Sequence, residues 1–340
     1  MKNNRLQKLL ERHEAFWRGE GDGPLQQVTD HVPLAAREGI PLADGSRVSE
    51  GAFIAPEQLD PGRFYGDGGI GPAVSGDFIR GAAPPHFCWT EAILGCPVQV
   101  VTGGPWAEPF AADWTRPDEL AVDERWLHRL DDFVDALVER ADGRYPVVQP
   151  LMRGPIDMMA AALGHEPICV ALLQEPERVD AFLARCVEIF VQAARRRLDR
   201  TPPFAGGYLS SYGIWAPGSV VRTQVDNATM LSPAVYRERV LPWDREVIEA
   251  FDYPLIHLHS GCLHIVDDLL RVDALKAIQV SLDYPGGPLA AEVLPILRDI
   301  LQQKPLIVTG PVDEAELEAL QGLTPGGGLC LQLELIREAA

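Results

Sequence analysis

The stretch 252–283, DYPLIHLHSGCLHIVDDLLRVDALKAIQVSLD, decides the fold. It opens on a short apolar run, PLIHLHSG, continues with the helical spacing of IVDDLLRV and closes on a second apolar run, AIQVSLD. Runs this short and this apolar read as strands covered on both faces, and a helix between two of them carries the chain back for parallel pairing. The same unit repeats on either side. Downstream come the helix PLAAEVLPILRDILQQK, the strand PLIVTG, the helix DEAELEALQGL and a last strand, GLCLQLEL. Upstream, SPAVYRERVLPWDREVIEAF reads as a helix with Ser232 as N-cap and Pro233 in its first turn.

Further back, GGYLSSYG reads as a strand and EPERVDAFLARCVEIFVQAARRRLDR as a long helix with Val179, Phe182, Cys186, Ile189, Phe190 and Ala193 on one stripe. YPVVQPLM is a short apolar run before the helical GPIDMMAAALG, and DERWLHRLDDFVDALVERA is an earlier amphipathic helix. This alternation predicts an α/β chain folded as a (β/α)8 TIM barrel. No GxGxxG follows an early strand and no P-loop motif occurs, which argues against an open nucleotide-binding sheet. The first 85 residues read differently: a charged amphipathic helix, MKNNRLQKLLERHEAFWRGE, then Gly- and Pro-rich loops. The expected division is 1–85, helix and loops packed on the barrel, and 86–340, the barrel itself, as a single domain overall.

Composition narrows the function. Of the 340 residues 46% are hydrophobic, enough for one large core, and the formal net charge is −19. No nucleic-acid partner is expected, because phosphate binding needs clustered Lys and Arg. No apolar run reaches the length of a membrane span and no signal-peptide core opens the chain, so a cytoplasmic protein without membrane contact is expected. Six scattered cysteines (88, 96, 169, 186, 262, 330) fit no disulfide framework and read as thiols.

In a barrel the chemistry sits at the C-terminal ends of the strands. His257 and His259 occupy alternate positions of one strand and share a face. A lone strand histidine is usually a hydrogen-bonded core residue, but burying two side by side is costly unless both find partners. Zinc is a natural partner for neutral imidazole and thiolate. Cys262, just past the strand, and Cys330, on the last strand, compete as third ligand, and His264 reads as structural. Asp283, ending AIQVSLD, reads as a proton carrier, as a partner that orients a histidine, or as a cap for the turn that follows. Tyr208, Ser210 and Tyr212 share a face of GGYLSSYG; Arg153 follows the run 146–152; Asp226 and Asn227 sit in the loop that also carries Trp215 and Arg222. All six of Arg153, Tyr208, Ser210, Tyr212, Asp226 and Asn227 are candidate pocket residues for a small-molecule substrate.

Several stretches, taken in order, resemble the uroporphyrinogen decarboxylase superfamily: WTEAILGCPV, PLMRGPIDMMAAALG, LLQEPERV, QVDNATMLSPAVYRERVLPW, the strand with its histidines, and TPGGGLCLQ. They span about residues 85–335. The resemblance implies a (β/α)8 barrel and, in the corrinoid-linked methyltransferase branch, a zinc site built from a His-x-Cys pair and a distant Cys. His257 matches the first ligand and Cys330 the distant one, while His259 stands where relatives carry Cys. The Arg-rich N-terminal segment by which true decarboxylases grip a tetrapyrrole is absent. Zinc-assisted methyl transfer is therefore the leading expectation. Its metal ligands would be His257, His259 and Cys330, its catalytic groups Asp283 and His259, and its acceptor or donor a corrinoid, a small thiol or another small molecule. A corrinoid protein is an allowed partner, and relatives are dimers or monomers, so a homodimer is an allowed assembly. The alternatives are a metal-free decarboxylase or lyase using His and Asp as proton carriers, and a non-catalytic corrinoid- or tetrapyrrole-binding barrel.

Overall fold

The structure is a computed structural model that describes residues 2–31, 40–65, 74–110, 120–284, 286–323 and 327–337. The expected loops at 66–73 and residues 324–326 of TPGGG lie outside these. Its centre is a six-stranded parallel sheet: β1 (Leu25–Asp30), β2 (Val220–Gln224), β3 (Tyr253–His259), β4 (Ala277–Ser281), β5 (Leu306–Val312) and β6 (Leu329–Leu335). The spatial order is β1-β6-β5-β4-β3-β2, every neighbouring pair parallel. The helices that matter below are α1 (Lys2–Trp17), α2 (Glu124–Ala141), α3 (Pro155–Leu163), α4 (Pro176–Arg200), α5 (Leu241–Glu249), α6 (Val266–Leu270), α7 (Ala290–Leu301) and α8 (Glu314–Gln321), with others between, His165–Gln174 among them. Among the described residues no single helix is long and apolar enough to cross a membrane.

The decisive stretch folds as its pattern predicts: β3, a 3-10 turn over Ser260–Ile265, α6 and β4 follow one another, and β3 pairs with β4 from Leu255↔Ala277 to His259↔Ser281. The stripe on α4 is wholly buried. Ser232 caps its helix by accepting from the Val235 backbone N–H. That helix is not uniform, because Tyr236–Val240 widens into a π turn before α5. Pro242 supplies the reason: it has no N–H, and its ring crowds the carbonyl four residues back, which opens the ladder locally.

Of the expected α/β barrel the described residues show six parallel strands in one ladder, without a continuous ladder that closes it. Two expectations are corrected. GGYLSSYG is not a barrel strand, since only Tyr208–Leu209 is extended, in a hairpin with Trp215–Ala216. The run 146–152 makes a single parallel bridge, Ala82↔Val147, instead of a strand. At the open edge of β2 a side chain substitutes for the missing neighbour. The Gln149 amide accepts from Arg222 N at 2.7 Å and donates to Arg222 O at 2.8 Å, as a paired strand would. Meanwhile residues 25–30, inside the segment expected to be helix and loops, supply the sixth strand by pairing with β6.

The sheet's inner face is layered. At the N-terminal end Leu25, Val220, Leu255, Ala277, Ile307 and Cys330 pack into one apolar cluster closed by Phe16 and Trp17 of α1. Further along the same strands, alternate positions turn polar: Gln27, Arg222, His257, Gln279, Thr309 and Gln332. A plug of apolar side chains therefore floors a polar mouth.

Candidate active site

The two histidines leave β3 side by side, ring centroids 4.9 Å apart and nearly perpendicular. Each is oriented through Nδ1. His257 Nδ1–H donates to Gln279 Oε1 on β4, and the Gln279 amide is held in turn by Nε2–H donating to Thr309 Oγ1 at 2.9 Å. Tyr212 also donates its hydroxyl to Gln279 Oε1, at 2.5 Å. His259 Nδ1 pairs with Asp283 Oδ1 at 2.6 Å, while Asp283 Oδ2 accepts from Ser260 Oγ at 3.1 Å. Of the three readings of Asp283, its side chain takes the role of partner to a histidine. With Nδ1 engaged on both rings, both Nε2 atoms present lone pairs. Burial drives the His257 pKa down to about 2, helped by the Arg222 guanidinium and by His259 and opposed by the Gln279 hydrogen bond, so the ring is neutral.

Both Nε2 atoms face the same oxygen. Asp226 Oδ1 lies 3.9 Å from His257 Nε2 and 3.7 Å from His259 Nε2, is closed off from solvent and has no hydrogen-bond partner. The other edge of this carboxyl is open, leaving the side chain about a third exposed, and Oδ2 accepts from Gln224 Nε2 at 2.8 Å. Burial and the nearby Asp157 carboxylate push the Asp226 pKa up to about 6, against the pull of His259, Arg153 and Arg222. Asp157, buried at the first turn of α3, fixes the turn that carries Asp226. Its Oδ2 accepts from Asp226 N at 3.0 Å and its Oδ1 from Asn227 N and Nδ2, both at 2.9 Å. Gly154, just before α3, permits this seating, because a Cβ there would come 2.2 Å from Gln224 O. Asn227 is closed off behind the turn by His165 Nδ1 at 2.7 Å from its Oδ1.

Two imidazole lone pairs and a carboxylate oxygen thus converge with no donor among them, which is unfavourable unless a cation or proton lies between. Two ligands each about 2.1 Å from a tetrahedral zinc sit about 3.4 Å apart, only a few tenths of an ångström closer than Asp226 Oδ1 is to either Nε2. The set Asp226, His257 and His259, with all ligand atoms within 4.8 Å of one another, therefore fits a divalent metal. Asp226 Oδ1, and not the Cys330 thiol, lies beside the two Nε2 atoms. Cys330 lies in the apolar plug beneath the site, fully buried, and burial raises its thiol pKa well above the ordinary value. Cys262, the other thiol considered, is buried, with its pKa pushed up to about 12, and its S–H points at the carbonyls of Val225 and Asp226.

The remaining pocket candidates divide. Tyr212 lines a cavity of about 480 Å³ at the C-terminal end of the sheet, with Gln27, Thr29, Ser281, Thr309 and Gln332. Tyr208 and Ser210 do not join it. Tyr208 borders a depression at the opposite end, beside Gly218 and Asp252, and Ser210 Oγ accepts from Tyr212 N and Ile214 N to tie the hairpin turn. A strand would have aligned all three on one face, whereas the hairpin disperses them. Arg153 is matched by the buried Glu91, Nε to Oε1 at 3.3 Å, and stacks on Trp106, 4.5 Å from the ring centroid. Asp157 and Gln279 were not singled out from sequence, and Arg222 was read only as a residue of the loop that carries Asp226. Strand parity alone would have placed Gln279 opposite His257.

No family model matches the chain, and no curated protein matches it by sequence. Among solved structures, a methyltransferase from Methanosarcina mazei superposes with a TM-score of 0.55 at 15% identity, over 76% of this chain and 75% of that one. At this identity the likeness is one of fold.

Proposed function

We propose that the chain is a divergent member of the uroporphyrinogen decarboxylase superfamily, an enzyme that transfers a methyl or similar small group with help from a divalent metal held by Asp226, His257 and His259. The observation that carries this reading is the unpartnered Asp226 Oδ1 facing two oriented imidazole lone pairs. A bound ion such as zinc would supply Lewis acidity, lowering the pKa of a ligated hydroxyl, water or thiol or polarising a substrate oxygen. Without a thiolate ligand the set is harder than the Cys-containing sites of the resembled branch, so an oxygen group is a better match than a thiol.

The chain's own residues do the rest. Gln279 and Asp283 fix both ring orientations and raise ligand basicity. His259, more exposed than His257, keeps its proton at Nδ1 on the hydrogen bond to Asp283 Oδ1 at the mouth of the site, which leaves Nε2 for the metal. The cavity behind Tyr212 receives the substrate. A second reading, metal-free proton transfer, follows from the raised Asp226 pKa, a proton taking the place of the cation. Metal analysis after zinc supplementation separates the two. One equivalent in wild type, lost in His257→Ala and Asp226→Ala, supports the metal reading, and folded metal-free wild type overturns it.

A further inference from the structure

Arg222 is a buried cation that no carboxylate touches directly; the charge of Asp226 reaches it only across Gln224, whose Oε1 accepts from Arg222 Nη1 and whose Nε2 donates to Asp226 Oδ2. Arg222 is 6% exposed, yet it forms no ion pair with any carboxylate among the described residues. Its protein contacts are neutral: Nε donates to the Tyr212 hydroxyl at 3.0 Å and Nη1 to Gln224 Oε1 at 2.7 Å. A guanidinium carries five N–H donors, so most of the fork is left for something else. Burying an arginine is costly unless an anion or a full set of acceptors compensates it. The fold nonetheless builds it in firmly, with the backbone N–H and C=O of Arg222 both held by Gln149.

Arg222 stands in register with Leu255, two residues before His257 on the neighbouring strand. By strand spacing the Cα atoms of Arg222 and His257 are about 8 Å apart. Tyr212, whose hydroxyl accepts from Arg222, is one of the residues lining the polar cavity, and that hydroxyl bonds the same Gln279 oxygen that orients His257. The anion site, the cavity and the histidine pair are therefore one connected unit. The nearest cavity carboxylate, Glu334 at the rim, is engaged by His31 Nδ1 at 2.7 Å.

We propose that the substrate is a small carboxylic acid, its carboxylate docked on the free face of the Arg222 guanidinium beside Tyr212, with its reacting group reaching the histidines. A carboxylate suits the site because its two oxygens match the planar guanidinium fork. In a chain of net charge −19 such an acid would otherwise be repelled, so one buried arginine at the floor of the mouth also sets selectivity. Only the position of the reacting end rests on the proposed metal-assisted function. The carboxylate dock stands without it.

The test measures binding by calorimetry to metal-stripped wild-type protein, using glycolate, lactate and benzoate against glycolamide, lactamide and benzamide, with inorganic phosphate as a further anion. At least one acid is expected to bind while its amide does not. That binding should fall about 10- to 100-fold in Arg222→Gln, fall less in Tyr212→Phe and be partly kept in Arg222→Lys. Because the protein carries no metal in this measurement, acid binding that depends on Arg222 leaves the dock standing even if the metal reading fails. No binding by any acid, equal binding by acid and amide, binding by phosphate alone, or acid binding unchanged in Tyr212→Phe and folded Arg222→Gln each overturns the proposal.

Discussion

Replacing Asp157 by Asn changes almost no volume but removes a charge and an acceptor where the site's key turn is held. The native carboxylate accepts from Asp226 N on one oxygen and from Asn227 N and Nδ2 on the other. An amide can keep its oxygen toward Asn227, but its NH2 then faces the Asp226 N–H, donor against donor. Losing that charge-assisted bond and stranding a buried N–H costs about 2–4 kcal/mol. Weakening the other two bonds adds about 1 kcal/mol, and relief of repulsion from Asp226 returns a similar amount. The net destabilisation is about 3 kcal/mol. With an unfolding entropy near ~2.1 cal/mol/K per residue, a chain of this length loses about 4 °C in Tm. Circular dichroism melts measure the shift, and metal titration of the same variant should show affinity weakened about 10- to 100-fold as Asp226 is displaced. A Tm and metal affinity both equal to wild type would refute the assigned role of Asp157.

Two further outcomes follow from the same contacts. His13 of α1 is fully buried, accepts from Trp215 N at 3.0 Å and donates to Asp77 O at 2.8 Å, and burial lowers its pKa from 6.5 to about 4. Its depressed pKa means that the unfolded chain takes up the proton first. Stability is therefore retained above pH 6.5 and lost as pH falls through 4, by about 3 kcal/mol across the window; chemical denaturation from pH 7 to 4 should show this slope in wild type and a flatter one in His13→Gln, and equal slopes would refute it. Cys330→Ser should lower stability by about 1–3 kcal/mol by burying a hydroxyl in the apolar plug, yet leave metal stoichiometry at the wild-type value; loss of metal in that variant would restore the thiol as a ligand.

The parts of the fold legible in the sequence are those written in hydrophobic period. β3 to β6 and the helices between them are apolar strands and amphipathic stripes, and nothing outside each segment is needed to recognise them. β2 was hidden because its inward positions, Arg222 and Gln224, are polar, so VVRTQ resembles a loop although every residue in it is buried. β1 was hidden for the opposite reason: LQQVTD is mostly exposed, and only its partner β6 makes it a strand. At the site, strand parity correctly joined His257 with His259. Parity gives the face of a strand but not the depth along it, and so it offered Cys330, which shares the inner face yet lies in the plug. Asp226 was legible only as a loop residue, because its aim is set by Asp157, far away in sequence and silent in any local pattern. Tyr208 and Ser210 were misplaced with the hairpin that carries them.

The central claim is that a divalent metal belongs between Asp226 Oδ1 and the Nε2 atoms of His257 and His259. A crystal of zinc-supplemented protein measured on both sides of the zinc absorption edge tests it directly. The account predicts one anomalous peak bonded to those three atoms, with none at Cys330. Full-occupancy protein with no peak there, or a peak ligated by Cys330, would contradict it.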